Sequence, residues 1–171
     1  MKLPLRHFSH AKISRVIIPK PPTEPSTYMK PYGFWVSVGP SWKEWCVSAE
    51  FRLESLRYEH EVKLDPRANI LYVTTPDELD EFSQEYAADT KINKALPGIR
   101  VYDIDWPRLY ELYDGIIISP YLYERRLGDT VWYYGWDCAS GCIWNVEVIK
   151  SIGVLRENDP KKLAGQRALQ V

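Results

Sequence analysis

Five prolines fall between residues 19 and 31, and directly behind them the chain reads Gly33-Phe34-Trp35-Val36-Ser37-Val38 before Gly39-Pro40. Each proline lacks an amide proton and clashes with a preceding helical turn, so residues 19–31 are expected as an ordered, irregular loop. A loop of that length inside a compact domain is often functional. The aromatic run behind it is expected as a strand over residues 33–38, ended by Gly39-Pro40. Such a strand presents a flat ring and the Ser37 hydroxyl at the mouth of a cleft. The plainer alternative is a core strand with Trp35 simply buried.

A chain of 171 residues is most simply one domain, long enough to bury roughly two-thirds of its unfolded surface. Seven Trp and twelve Tyr against four Phe favour rings with one water-tolerant end, which suit cleft walls and interfaces. The net charge of −1 argues against a dedicated nucleic-acid binder, while leaving room for a nucleic-acid substrate on a local patch. Of Cys46, Cys138 and Cys142, only the last two are close in sequence, and no second pair completes a zinc site. No metal is therefore expected, and reduced thiols fit a cytosolic setting. The first sixteen residues hold no apolar run suited to a signal peptide, and no segment resembles a membrane span. The expectation is a soluble, cytoplasmic protein without a membrane partner.

Residues 3–9 are expected as a strand and residues 11–18 as a brief helix or turn leading to an extended piece. A helix should start at Ser41, with the serine as N-cap. Tyr58, His60, Val62 and Leu64 alternate with charged neighbours as in a half-buried strand, and residues 69–74 form another. Thr75-Pro76-Asp77-Glu78 combines a cap, a first-turn proline and a capping-box glutamate, with Leu79, Phe82 and Tyr86 on one helix face. Asp105-Trp106-Pro107 repeats that logic, and Asp114-Gly115 turns into Ile116-Ile117-Ile118. Residues 130–136 and 141–145 are expected as strands. Residues 156–171 form a polar, basic tail, disordered or loosely helical, behind a single domain of residues 1–155. Short strands with two or three irregularly spaced helices indicate an α+β fold.

Three segments carry candidate chemistry. His7 and Ser9 share one face of the first strand and offer a donor and an acceptor to a sugar hydroxyl, or are an ordinary surface or core pair. In the second strand Trp35 or Phe34 is suited to stack on a heteroaromatic ring, and the Ser37 hydroxyl to hold an amide or ribose. In Trp136-Asp137-Cys138-Ala139-Ser140-Gly141, an acid stands among small residues that let a ligand approach the backbone. Cys138 invites a nucleophilic reading, but no Cys–His signature surrounds it and a small buried thiol is the commoner role. The chain has no Gly-rich phosphate loop, G-x-S-x-G elbow, H-E-x-x-H or G-x-G-x-x-G.

In this order the three segments resemble the ADP-ribosyltransferase superfamily, small stand-alone phage and bacterial members above all. Leu5-Arg6-His7-Phe8-Ser9 is similar to the histidine form of its first motif, and Gly33-Phe34-Trp35-Val36-Ser37 to its Gly-x-aromatic-x-Ser strand. Tyr113-Asp114-Gly115-Ile116 is similar to the step before its last motif, and residues 142–152 to the strand and turn that close its fold. The resemblance covers residues 3–152. It implies a split, mostly antiparallel sheet that grips NAD as co-substrate. It further implies transfer of ADP-ribose to a macromolecular acceptor, protein or nucleic acid, in a toxin, phage or defence setting. The chain departs from the family where a glutamate usually opens the last strand: here stands Ser140-Gly141, with Asp137 three residues earlier. The resemblance assigns catalysis to Asp137 with His7, and to Glu147 as the alternative acid. It assigns NAD contacts to His7, Ser9, Tyr32, Gly33, Trp35, Ser37, Trp136 and Ser140. Arg125, Arg126, Lys161, Lys162 and Arg167 are available to an acidic partner, or are solvated surface. Two other classes compete: a non-catalytic, aromatic-rich interaction domain, and a metal-independent nuclease using His7, His10 and nearby acids.

Overall fold

The computed structural model describes residues 3–21, 30–95 and 100–165, and its frame is one seven-stranded sheet. In chain order the strands are β1 (Leu5–Ser9), β2 (Phe34–Val38), β3 (Tyr58–Leu64), β4 (Ile70–Val73), β5 (Gly115–Ile118), β6 (Ser140–Ile143) and β7 (Ile149–Glu157). Across the sheet they lie β4-β5-β6-β2-β1-β3-β7. β4 and β5 are parallel, and every other neighbouring pair is antiparallel. The helices are α1 (Ser41–Ala49), α2 (Pro76–Glu85), α3 (Lys91–Ala95), α4 (Trp106–Leu112) and α5 (Pro160–Gly165). The class is α+β as expected, with five α-helices among the described residues where two or three were expected. The extra ones, α3 and α5, are too short to show an apolar period.

Capping chemistry starts α2 and α4, the two longer helices of the β4-to-β5 crossover. Thr75 accepts from the Glu78 amide and the Glu78 carboxylate returns to the Thr75 amide, a complete capping box with Pro76 in the first turn. Asp105 accepts from the Arg108 amide and starts α4. Parallel neighbours need such a crossover, because a hairpin cannot join them.

Four local expectations are corrected. Residues 130–136 are not a strand: Val131–Gly135 forms a 3-10 helix, closed by Tyr133 N–H to Thr130 O and Trp136 N–H to Tyr133 O. Trp132, Tyr133 and Trp136 are all fully buried, a spacing that no two-sided alternation produces. Ser41 is the first helical residue of α1, not its cap; its hydroxyl donates to Ala139 O at 2.6 Å and ties the helix to the β6 approach. Residues 11–18 hold no helix. The boundary at residue 155 falls inside β7, and α5 buries Leu163 against Phe8, Cys46 and Leu56. The rest of the tail, residues 166–171, and residues 22–29 of the proline-rich loop lie outside the described residues.

Alternation along the central strands divides the interior. Ile116 and Ile118 join a cluster with Leu79, Phe82, Trp106 and Trp132, under α2 and α4. Ile117, between them, joins Leu5, Phe34, Val36 and Val62 on the opposite face. Trp35 packs on the first cluster while its neighbours Phe34 and Val36 enter the second.

Candidate functional site

The ladder between β1 and β2 opens after two residue pairs. Leu5 faces Val38 and Arg6 faces Ser37, and beyond them β1 keeps to β3 through Ser9 while β2 keeps to β6 through Phe34. Backbone groups in such a gap need other partners, and a side chain supplies one. His7 Nδ1–H donates to Trp35 O at 2.8 Å, spanning the opening, while the ring stacks on Phe34 at 4.3 Å. The donor role of Nδ1 leaves Nε2 as a lone-pair acceptor. Burial lowers the His7 pKa; the Trp35 carbonyl opposes this and nearby His60 adds to it. His60 is itself buried, accepting from Ile13 N–H through Nε2 and donating to His7 O through Nδ1.

A cavity of about 380 Å³ lies at this opening. It brings together His7, Ser9, Trp35, Ser37, Trp136, Asp137 and Ser140, drawn from three segments far apart in sequence. β6, β2 and β1 are consecutive in the sheet, which is what makes those segments neighbours. Three sequence candidates are absent from the lining. Tyr32 is largely exposed and its amide donates to Tyr110 OH. Gly33 lies against β6, where a Cβ would come within 2.6 Å of Cys142 Sγ and 2.8 Å of Ile143 O. Glu147 is exposed in the turn after β6. The hydroxyls of Ser9, Ser37 and Ser140 donate to Ala11 O, Gly39 O and Cys138 O, which leaves their lone pairs for a ligand.

Asp137 is the one carboxylate lining the cavity among the described residues. Its Oδ1 accepts from Arg126 Nη2 at 3.2 Å, and its Oδ2 is 3.9 Å from Lys30 Nζ. Arg126 in turn lies over the Tyr134 ring, and Lys30 over the Trp35 ring. Trp35 meets Trp136 edge-on at 4.9 Å. Next to the acid, burial pushes the Cys138 thiol up, partly offset by the Ser41 and Ser140 hydroxyls. Cys138 is therefore a protonated packing residue at neutral pH, not an activated nucleophile.

Sequence reasoning missed the cations. Arg6, Lys30 and Arg52 line the cavity against the single Asp137. Arg6 reaches Glu59 at 3.4 Å and Glu61 at 3.8 Å. Arg52 follows α1 in the left-handed region, at φ 46, as does Glu50 at φ 52, a conformation that costs a residue with a Cβ about 1 kcal/mol or more. The available signal was the position of Arg6 beside His7; nothing in the local sequence announces Arg52. A larger hollow of about 650 Å³ lies near Leu3, Leu64 and Tyr72, where Arg6 and Lys63 pair with Glu61, and it holds none of the candidate site residues.

No family model, curated protein or solved structure matches the chain.

Proposed function

We propose that the chain is an ADP-ribosyltransferase that binds NAD in the opening between β1 and β2 and transfers ADP-ribose to a macromolecular acceptor. One observation carries the reading. His7, Trp35 and Asp137, singled out by three separate motifs, line a single cavity whose other charged lining groups are cationic. That residue set fits a dinucleotide on three counts. Arg6 and Arg52 supply charge for a diphosphate. Trp35 and Trp136 supply aromatic walls. The Nε2 lone pair of His7 accepts from a ribose hydroxyl.

The chemistry asked of these groups is modest. The bond between ribose C1′ and the pyridinium nitrogen breaks, and its electron pair leaves with neutral nicotinamide. A lone pair of the acceptor then bonds to C1′ as the acceptor loses its proton. Asp137 accepts from a ribose hydroxyl and lends negative charge where positive charge grows on the sugar. Arg126 holds Oδ1 and so fixes the direction in which Oδ2 points. The Trp35 and Trp136 rings beside Asp137 keep water from the developing cation.

Mass spectrometry of nicotinamide release from NAD tests the reading. Wild type should release nicotinamide. Asp137→Asn, with an unchanged circular-dichroism spectrum, should lose the activity by about a hundredfold or more, the scale of one electrostatic group in a dry site. Unchanged turnover in the variant removes Asp137 from the role. Absence of NAD binding by calorimetry favours a non-catalytic interaction domain, and cleavage of RNA without NAD favours a nuclease.

A further inference from the structure

Lys30 is placed where a ligand's positive charge would go. Its ammonium lies over the face of the Trp35 ring, 5.2 Å from the centroid, and 3.9 Å from Asp137 Oδ2. An aromatic face beside a carboxylate is the general recipe for binding an organic cation, through the ring's quadrupole and a Coulombic partner together. Here the chain supplies that cation itself. The arrangement is accommodated from the other side as well. A Cβ on Gly135 would lie 3.0 Å from Lys30 Cε and 3.2 Å from its Cγ, so the glycine leaves the groove in which the lysine stem lies. The two cations also divide the acid between them: Arg126 takes Oδ1 and Lys30 takes Oδ2. Arg126 is outside the cavity lining, whereas Lys30 is part of it and its side chain remains 46% exposed. One partner is structural, and the other is free to swing away.

We propose that Lys30 is an internal placeholder for a delocalised cation, a pyridinium in particular, and that it must leave the Trp35–Asp137 site before such a ligand enters. The inference rests on the NAD reading for the identity of the cation, but the placeholder itself does not. In the ligand-free protein Lys30 screens Asp137 and covers Trp35. On binding, the ring of the ligand takes the Trp35 face and Oδ2 is released to the sugar. The segment that carries Lys30 thereby weakens idle binding and couples entry of the ligand to movement of its own side chain.

Removing the charge should strengthen binding. Lys30→Met keeps a stem of similar bulk beside Gly135, Lys30→Gln is a second neutral variant, and Lys30→Arg keeps the charge. The probe is 1-methylnicotinamide, a small pyridinium cation, titrated by calorimetry, with nicotinamide release from NAD measured in parallel. Lys30→Met and Lys30→Gln should bind the probe about fivefold more tightly than wild type, the scale of one exposed cation–π contact and one surface ion pair given up together. Lys30→Arg should stay near wild type. Equal or weaker binding by both neutral variants overturns the placeholder, as does absence of probe binding in every form; weaker binding makes Lys30 part of the ligand's grip instead. If the neutral variants bind the probe more tightly but no form releases nicotinamide, the placeholder stands and the NAD reading falls. If NAD is turned over and the neutral variants show no gain, the reading stands and the placeholder falls.

Discussion

The two flanks of β2 are built on opposite terms. On the β6 side the strands are matched over four residues, Phe34 with Ile143 through Ser37 with Ser140, and Gly33 lets the chain entering β2 close on Ile143. On the β1 side only two pairs form, and an imidazole rather than a peptide group meets the Trp35 carbonyl. One flank is sealed against side chains, and the other admits them. A pocket in a sheet therefore needs no missing strand. It needs one ladder that stops early while the neighbouring strands stay held from their far sides, β1 by β3 and β2 by β6.

The strongest test of the sealed side falls one strand further on, where β6, the strand that holds β2, packs against β5. A Cβ on Gly141 would fall on Ile116 O and come within 2.7 Å of Ile117 Cγ1, with backbone on one side unable to yield. Gly141→Ala should lose about 3 kcal/mol, the upper range of overpacking in a close-packed interior, read from urea unfolding. A loss under about 1 kcal/mol would show that β5 and β6 separate easily, and the strand that seals β2 would then itself be loosely held.

How much of this was legible beforehand follows the range of the forces involved. Capping and turn signals act within four residues, and Thr75, Asp105 and Asp114-Gly115 stand where the local pattern put them. The three site segments were also readable, because each carries its own residue types. Residues 130–136 were not, since Trp132 is held by a hydrogen bond from its indole to Ser83 in α2, a partner no local window contains. The end of β7 was missed for a related reason. Residues 151–157 are mostly exposed, and only pairing with β3 makes them a strand. The cations at the cavity were invisible as a group, as Arg6, Lys30 and Arg52 come from β1, the segment before β2 and the segment after α1.

A smaller effect sharpens the open flank. His7→Phe keeps a flat ring to stack on Phe34 but leaves the Trp35 carbonyl without its donor, and should lose about 1 to 2 kcal/mol at pH 7.5. The variant should also flatten the pH dependence. The His7 pKa is lowered in the folded state by burial, so the unfolded chain takes up the proton first as pH falls. The contribution of His7 is therefore full above the ordinary histidine range and is lost as pH falls through that range toward the lowered folded value. Urea unfolding at pH 7.5 and pH 5 should show a larger loss for wild type than for His7→Phe. An equal loss in both would assign the acid sensitivity to groups away from the opening.

The smallest expected effect comes from the sheet's edge and serves as the control for Gly141. Gly153 also lies in a strand, opposite Glu61, but a Cβ there would meet nothing within 4 Å. β7 is irregular along this edge: the register passes from Glu59–Arg156 to His60–Val154 and from Lys63–Ser151 to Leu64–Ile149, leaving Leu155 and Lys150 without partners. Bulges of this kind twist an edge and blunt its tendency to recruit another strand. Gly153→Ala should gain about 0.5 kcal/mol, because the unfolded chain loses freedom while the folded one meets no obstacle. The two alanine variants make the same chemical change in the same sheet, so their difference of about 3.5 kcal/mol isolates close backbone approach from strand propensity, whose whole range is near 1 kcal/mol. If Gly153→Ala instead loses as much as Gly141→Ala, the glycines matter for what they do to any strand, and the close packing of β6 on β5 has another cause.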